Sequence, residues 1–229
     1  MTLHPLDRPV WNALKSRWSN LAEGDARAWR INPDHGPFGA ALDDSDDARS
    51  ALAALTPPTD ELWTVEREQA PPLPGLHVVR EAALAQMVAT DLAAPARSTR
   101  HIELTEDDAP AMRELALMTK PGPFRPFTHR LGRFIGIRQD GRLIAMAGER
   151  MRLPGFAEVS GVCTHPDYRG RGHAGALMLI VARTMLDRGE TPFLHAYAAH
   201  EGTIALYEKL GFRRRATMHM TVFMRPAAA

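Results

Sequence analysis

Cysteine is nearly missing from this chain: 229 residues hold one, Cys163. A single thiol cannot close an internal disulfide and fits a reducing, cytoplasmic compartment. An excess of charge of either sign is missing too. Lys and Arg number 28 against 27 Asp and Glu, and the basic residues are scattered, which argues against a nucleic-acid partner. No apolar run approaches the ~20 residues of a membrane span. The opening residues MTLHPLDRPVW hold no apolar core of a secretory signal. The histidines lack metal-ligand spacing, so no metal site is expected, and His173, His195 and His219 read as packing or surface residues. Internal repeats and low-complexity tracts are also missing. What remains is an ordinary soluble composition, 45% hydrophobic and 24% charged, long enough for one large domain or two small ones.

The first half, residues 1–97, reads as a smaller α/β module with no catalytic constellation, either a packing module or a degenerate partial copy of the second half. Asp7 can cap a short helix with Pro9 in its first turn. Ala28 to Ile31 and Phe38 to Leu42 read as short strands, Ser45 or Asp46 as the cap of a helix through Leu55, and Glu61 to Val65 as a strand. Leu76 to Val79 reads as one more strand and Glu81 to Leu92 as a helix. The small-residue, Pro-containing stretch Ala93 to Thr99 marks a boundary, dividing the chain into 1–97 and 98–229. After it come a strand (His101 to Leu104), a helix capped at Thr105, a loop from Thr119 to Gly132, and two strands joined by the hairpin signal Asp140-Gly141. Then follow a fourth strand, a helix from Gly172 to Arg188, a strand from Phe193 to Ala198, a helix from Glu201 to Leu210, and a last strand or pair of strands to Phe223. The strand–helix–strand from Val159 to Ala198 should be a right-handed parallel unit.

The densest signal lies at EVSGVCTHPDYRGRGHAG, Glu158 to Gly175. A strand ends in a turn, then Arg169, Gly170, Arg171, Gly172, His173, Ala174 and Gly175 open an amphipathic helix. The first N–H groups of a helix have no helical partner and sit at the positive end of its dipole. With two arginines beside them they suit a phosphate ester, above all a diphosphate. Gly170, Gly172 and Gly175 formally match the dinucleotide fingerprint, which would make the chain a nicotinamide oxidoreductase. That fingerprint sets its first glycine directly after a strand, whereas His165 to Arg169 intervene here. It also ends the next strand with an acid, whereas Glu190 precedes PFLHAYA.

The better match is R-x-x-G-x-A, Arg169 to Ala174, together with LYEKLGF, Leu206 to Phe212. In these two motifs, in this order, the chain resembles the GNAT superfamily of acyl-CoA-dependent N-acetyltransferases, over roughly Arg100 to Pro226. The resemblance implies an α/β (α+β) fold: a mixed, mostly antiparallel sheet with a central parallel βαβ unit whose two strands splay apart. It implies acetyl-CoA as co-substrate. The diphosphate would lie on Arg169 to Gly175, and the pantetheine against Val162, Cys163 and Thr164, like an added strand. Cys163 itself reads as a small buried hydrophobe.

The implied reaction is direct attack of a primary amine, on a small molecule or peptide, upon the thioester. Tyr207, on the late helix, is the candidate general acid for the departing thiolate; the plainer reading is a half-buried structural tyrosine. Glu158 is the candidate base, because alternation sets it on the face of Ser160 and Val162, and Glu149 is its rival. Either can instead be paired with Arg150 or Arg152. His200 stands where many relatives have a CoA-holding asparagine; it can keep that role, cap the helix or move a proton. Phe124, Arg125 and Phe127 are placed to face the acceptor. A homodimer is one possible assembly. A different class stays open, a module that binds acyl-CoA without turnover.

Overall fold

The computed structural model describes residues 4–94 and 99–226. Helix α1 (Pro9–Leu14) leads into a three-stranded antiparallel sheet of β1 (Ala22–Asp25), β2 (Ala28–Ile31) and β3 (Gly39–Ala41). Helix α2 (Asp46–Ala54) packs on β2 and β3. Its cap is the expected Ser45, whose side chain accepts from the Ala48 N–H. Asp7 does not cap α1. The N-cap position is Arg8, without a side-chain bond, and Asp7 instead accepts from the His4 N–H and from Arg215.

The remaining strands are β4 (Leu62–Glu66), β5 (His77–Val88), β6 (Ile102–Leu104), β7 (Phe134–Gln139), β8 (Arg142–Leu153), β9 (Phe156–Thr164), β10 (Thr191–Tyr197) and β11 (Arg213–Met224). They form one eight-stranded sheet in the order β4-β11-β5-β10-β9-β8-β7-β6. Helix α3 (Ala109–Thr119) precedes β7, α4 (His173–Asp187) joins β9 to β10, and α5 (Glu201–Lys209) joins β10 to β11. Among the described strands only β9 and β10 form a parallel ladder; Phe38 and Trp63 add one isolated parallel bridge. This is the expected mixed, mostly antiparallel sheet around a parallel βαβ unit. The Asp140-Gly141 hairpin has positive φ at both residues (50° and 77°), as its turn requires.

The helix expected from Glu81 to Leu92 is not there. Residues 77–88 are one strand, hydrogen-bonded to β10 on one side and β11 on the other. The alanines of EAALAQMVATDL favour a helix locally, but pairing on both edges outweighs a preference of tenths of a kcal/mol per residue. β4 and β5 thus carry the first half of the chain into the sheet of the second. The boundary at 97–98 lies outside the described residues.

The two faces of the sheet bury different clusters. α4 covers Ala145, Ala147, Ala157 and Val159. On the other face α3 covers Met146 and Cys163, and α1 covers Met151 and Leu153. Consecutive side chains alternate between faces, so Ala147 and Met151 should share one. They do not, because between the pairs Glu149↔Val159 and Arg152↔Ala157 two residues of β8, Arg150 and Met151, oppose one of β9, Glu158. This bulge inverts the pattern.

Gly148 lies where β8 passes the ring of Phe134. A Cβ there would stand 2.3–2.6 Å from three atoms of that ring, and the ring is itself held edge-on against Phe124. Gly148→Ala should therefore lower unfolding stability by about 1–3 kcal/mol, read as a fall in the urea midpoint. An unchanged midpoint would show that the ring can move aside.

Candidate active site

The site begins where two strands stop pairing. β9 and β10 match from Phe156↔Thr191 to Glu158↔Phe193 and no further. Beyond that point β10 keeps β5 on its other edge as far as Tyr197, and β9 keeps β8. The His165 N–H donates to Ile144 on the β8 side, so by alternation the Thr164 and Val162 backbone groups face the opening. A second bulge lies here. Between the pairs Ser160↔Gly148 and Cys163↔Met146, two residues of β9, Gly161 and Val162, oppose one of β8, Ala147, and Gly161 takes φ +61°, a conformation that glycine adopts without strain. The bulge corrects the expected facing. Val162 packs with Val159 on the α4 side, not on the face of Glu158.

After Thr164 the chain makes one short turn, Pro166–Tyr168, whose cap is His165: its Nδ1 accepts from the Asp167 N–H. Arg169 and Gly170 are exposed. Gly172 has φ +77° and is the N-cap of α4, so it brings no side chain to close the first-turn N–H groups, and no acidic residue stands in that turn. A Cβ at Gly170 would meet nothing within 4 Å, so the turn has open space before it. Arg171 does not simply reach outward. Its guanidinium lies 4.9 Å from the Tyr168 ring centroid, and Nη2 donates to the Asp167 carbonyl.

The opening leads into a cavity of about 230 Å³. Met178 of α4 with Thr203 and Tyr207 of α5 line one end, and Phe38, Trp63 and Arg150 line the other. The cavity therefore passes through the sheet at the gap, with Val162 and Ala196 on its rims. Tyr207, Glu158, Val162 and His200 are thus brought to one space. Burial pushes the Tyr207 phenol above its ordinary value near 10, so it holds its proton at neutral pH. Cys163 faces α3; burial pushes its thiol up to about 12, which makes it a poor nucleophile.

Glu158 is fully engaged. Arg150 Nε and Nη2 donate to its two oxygens at 2.8 and 2.9 Å, and His195 Nδ1 lies 2.9 Å from Oε1. The tautomer of His195 follows from its neighbours. Arg215 can only donate, so it fixes Oε1 of Gln86. The Leu6 carbonyl can only accept, so it fixes Nε2. The second hydrogen of that amide then goes to His195 Nε2, 3.1 Å away, leaving the ring proton on Nδ1 for Glu158. Burial alone would raise the Glu158 carboxyl. The Arg150 charge and the bonds from His195 and Arg150 outweigh it and hold the group at about 2. Glu149, the rival, lies elsewhere. Arg188 donates to both its oxygens, and Arg152 and Arg188 also bind Glu190.

Sequence reasoning did not find Gln86, Phe38 or Trp63, and it set His195 aside as packing. Gln86 is 109 residues from His195, so no local spacing could join them. Phe124, Arg125 and Phe127 do not line the cavity. Phe124 is core, Arg125 binds Asp60, and Phe127 meets His35. Their loop contributes Lys120 to Pro123 instead.

A mixed sheet whose one parallel pair parts beside a glycine turn opening a helix is the GNAT arrangement, and the family model for FR47-like protein matches residues 134–221. The chain belongs to the GNAT family of acetyltransferases. A GNAT-family protein of known structure from Novosphingobium aromaticivorans is 47% identical to it, over 98% of this chain and 100% of that one, with a TM-score of 0.91. A GCN5-related N-acetyltransferase from Kribbella flavida is 18% identical over 96% of this chain and 95% of its own, at a TM-score of 0.65, and shares the fold. No curated protein matches the chain.

The ion pair at Glu158 should be visible in acid. Its folded value of about 2 lies below the ordinary 4.5. The stability it contributes is therefore whole above about 4.5 and is lost as pH falls toward 2. Glu158→Gln should be less stable than the parent near neutrality by about 3–5 kcal/mol, since it leaves Arg150 with half its partner. Its urea midpoint should also decline less steeply between pH 4.5 and 2. Parallel declines for the two proteins would contradict this assignment.

Proposed function

We propose that the chain transfers the acetyl group of acetyl-CoA to a primary amine of a small molecule or peptide by direct attack. The observation that carries the proposal is the cavity through the sheet, which joins the open edge of β9 and the Tyr207 phenol on one side to an acceptor chamber on the other. The co-substrate supplies the activated acyl thioester. The chain supplies the rest. First-turn N–H groups of α4, from His173 to Gly175, and the Arg169 side chain hold a diphosphate. Val162 and Thr164 offer backbone groups to the pantetheine amides, and an N–H of this edge polarises the acyl carbonyl. A C–N bond forms as the C–S bond breaks. The sulfur takes the Tyr207 proton, and the proton lost by the amine restores the phenol.

Glu158 acts in this scheme as a fixed anion. A carboxylate held at about 2 has too little proton affinity to strip an ammonium. It aligns Arg150 and His195 and keeps the acceptor end of the cavity in one shape. His200, exposed at the start of α5 and 5.2 Å from the Tyr197 ring, borders the thioester end. The single buried cysteine suits work in the cytoplasm.

Tyr207→Phe separates catalysis from binding. It should lower kcat by about 10²-fold or more while leaving CoA affinity, measured by calorimetry, little changed. No turnover of any amine by the parent, with CoA affinity intact, would contradict the proposal and leave a module that only binds acyl-CoA.

A further inference from the structure

The acceptor end of the cavity carries an unbalanced charge. Its formally ionised lining residues are Lys120, Arg150 and Glu158. The one anion spends both oxygens on Arg150 and His195. The cations are not spent in the same way. Arg150 gives Nε and Nη2 to Glu158, and its guanidinium lies over the Phe38 ring, 4.9 Å from the centroid. Its third nitrogen, Nη1, makes no hydrogen bond among the described residues. It points toward the 120–123 loop, 3.7 Å from where a Cβ on Gly122 would stand. Lys120 stands on that loop, held in a left-handed conformation (φ 50°) at the end of α3, and lines the same space.

The wall around these donors is apolar. Phe38, Trp63, Val65, Leu84 and Met220 form it. Trp63 meets Phe38 edge-on at 6.2 Å, and its indole N–H is already given to Glu61 at 2.7 Å. A ligand there meets apolar side chains, the open Nη1 edge of Arg150 and the loop that carries Lys120. Two cationic residues lining one cavity whose single anion is already spent call for a carboxylate. They repel a polycation, for which like charges in a confined space are costly.

Resting on the acetyltransferase reading of the same site, we propose that the acceptor is a primary amine that also carries a carboxylate on an apolar or aromatic body. Arg150 Nη1 and Lys120 hold the carboxylate, Phe38 and Trp63 hold the body, and the amino group is left directed at the gap between β9 and β10.

The test compares matched pairs with acetyl-CoA in excess: phenylalanine, leucine and ε-aminocaproate, each against its carboxamide, with spermidine as the cationic probe. At least one acid should exceed its amide in kcat/KM by about tenfold or more, and spermidine should be the poorest acceptor. For the α-amino acids the bias of amine basicity runs the other way, since their amides hold more free amine at neutral pH. Lys120→Ala, at an exposed loop position, should shrink the ratio chiefly through the KM of the acid. Amides or spermidine used as well as the acids would overturn this assignment and leave the acetyltransferase standing. Acetylation of no amine at all would remove both.

Discussion

Three residue pairs hold β9 to β10, and then the strands separate. Nearly every functional feature depends on that short pairing. The gap exposes the β9 edge to which the proposed pantetheine would add as a strand, and it lets a cavity cross from the α4 face to the α1 face. The last paired residue is Glu158, opposite Phe193, and Glu158 reaches His195 two positions further along β10. A side-chain bridge thus spans the gap where backbone bonds end. α4 leaves the β9 end through two positive-φ glycines and packs over Ala157, within the paired stretch, and Val159, just beyond it. The glycine turn and the mouth of the gap are therefore set by the same helix.

Two buried glutamates show how environment divides roles among like residues. Glu149 and Glu158 are each 1% exposed and lie nine positions apart across the β8–β9 turn. Glu149 joins Arg188, Arg152 and Glu190 and ties the end of α4 to β8, away from the cavity. Glu158 joins Arg150 and His195 and lines it. At Glu158 the pairing outweighs the cost of burial, and removing one partner from either group would leave a buried charge uncompensated. What each secures is a single arrangement: a fixed helix end in one case, a fixed acceptor wall in the other.

The parts of the fold that were readable are those with a local cause. The glycine turn into α4, the Asp140-Gly141 hairpin, the Ser45 cap and the helix bearing Tyr207 each follow from a few neighbouring residues. The rest depends on partners far along the chain. β5 has the composition of a helix and becomes a strand only because β10 and β11 flank it. The bulges in β8 and β9 each invert an alternating pattern, and so Val162 changes face; Gly161 signals the second only once its φ is known. Gln86, Phe38 and Trp63 reach the site from the first half of the chain through the sheet, a route that spacing cannot show.

The central claim is that the unpaired edge of β9 and the first turn of α4 grip one ligand together. Backbone amide hydrogen exchange, followed with and without saturating CoA, tests it most directly. The account predicts slowed exchange in both 159–165 and 170–176 on adding CoA, with β6 and β7 unchanged. CoA that binds by calorimetry yet protects neither segment, or protects 170–176 alone, would contradict it.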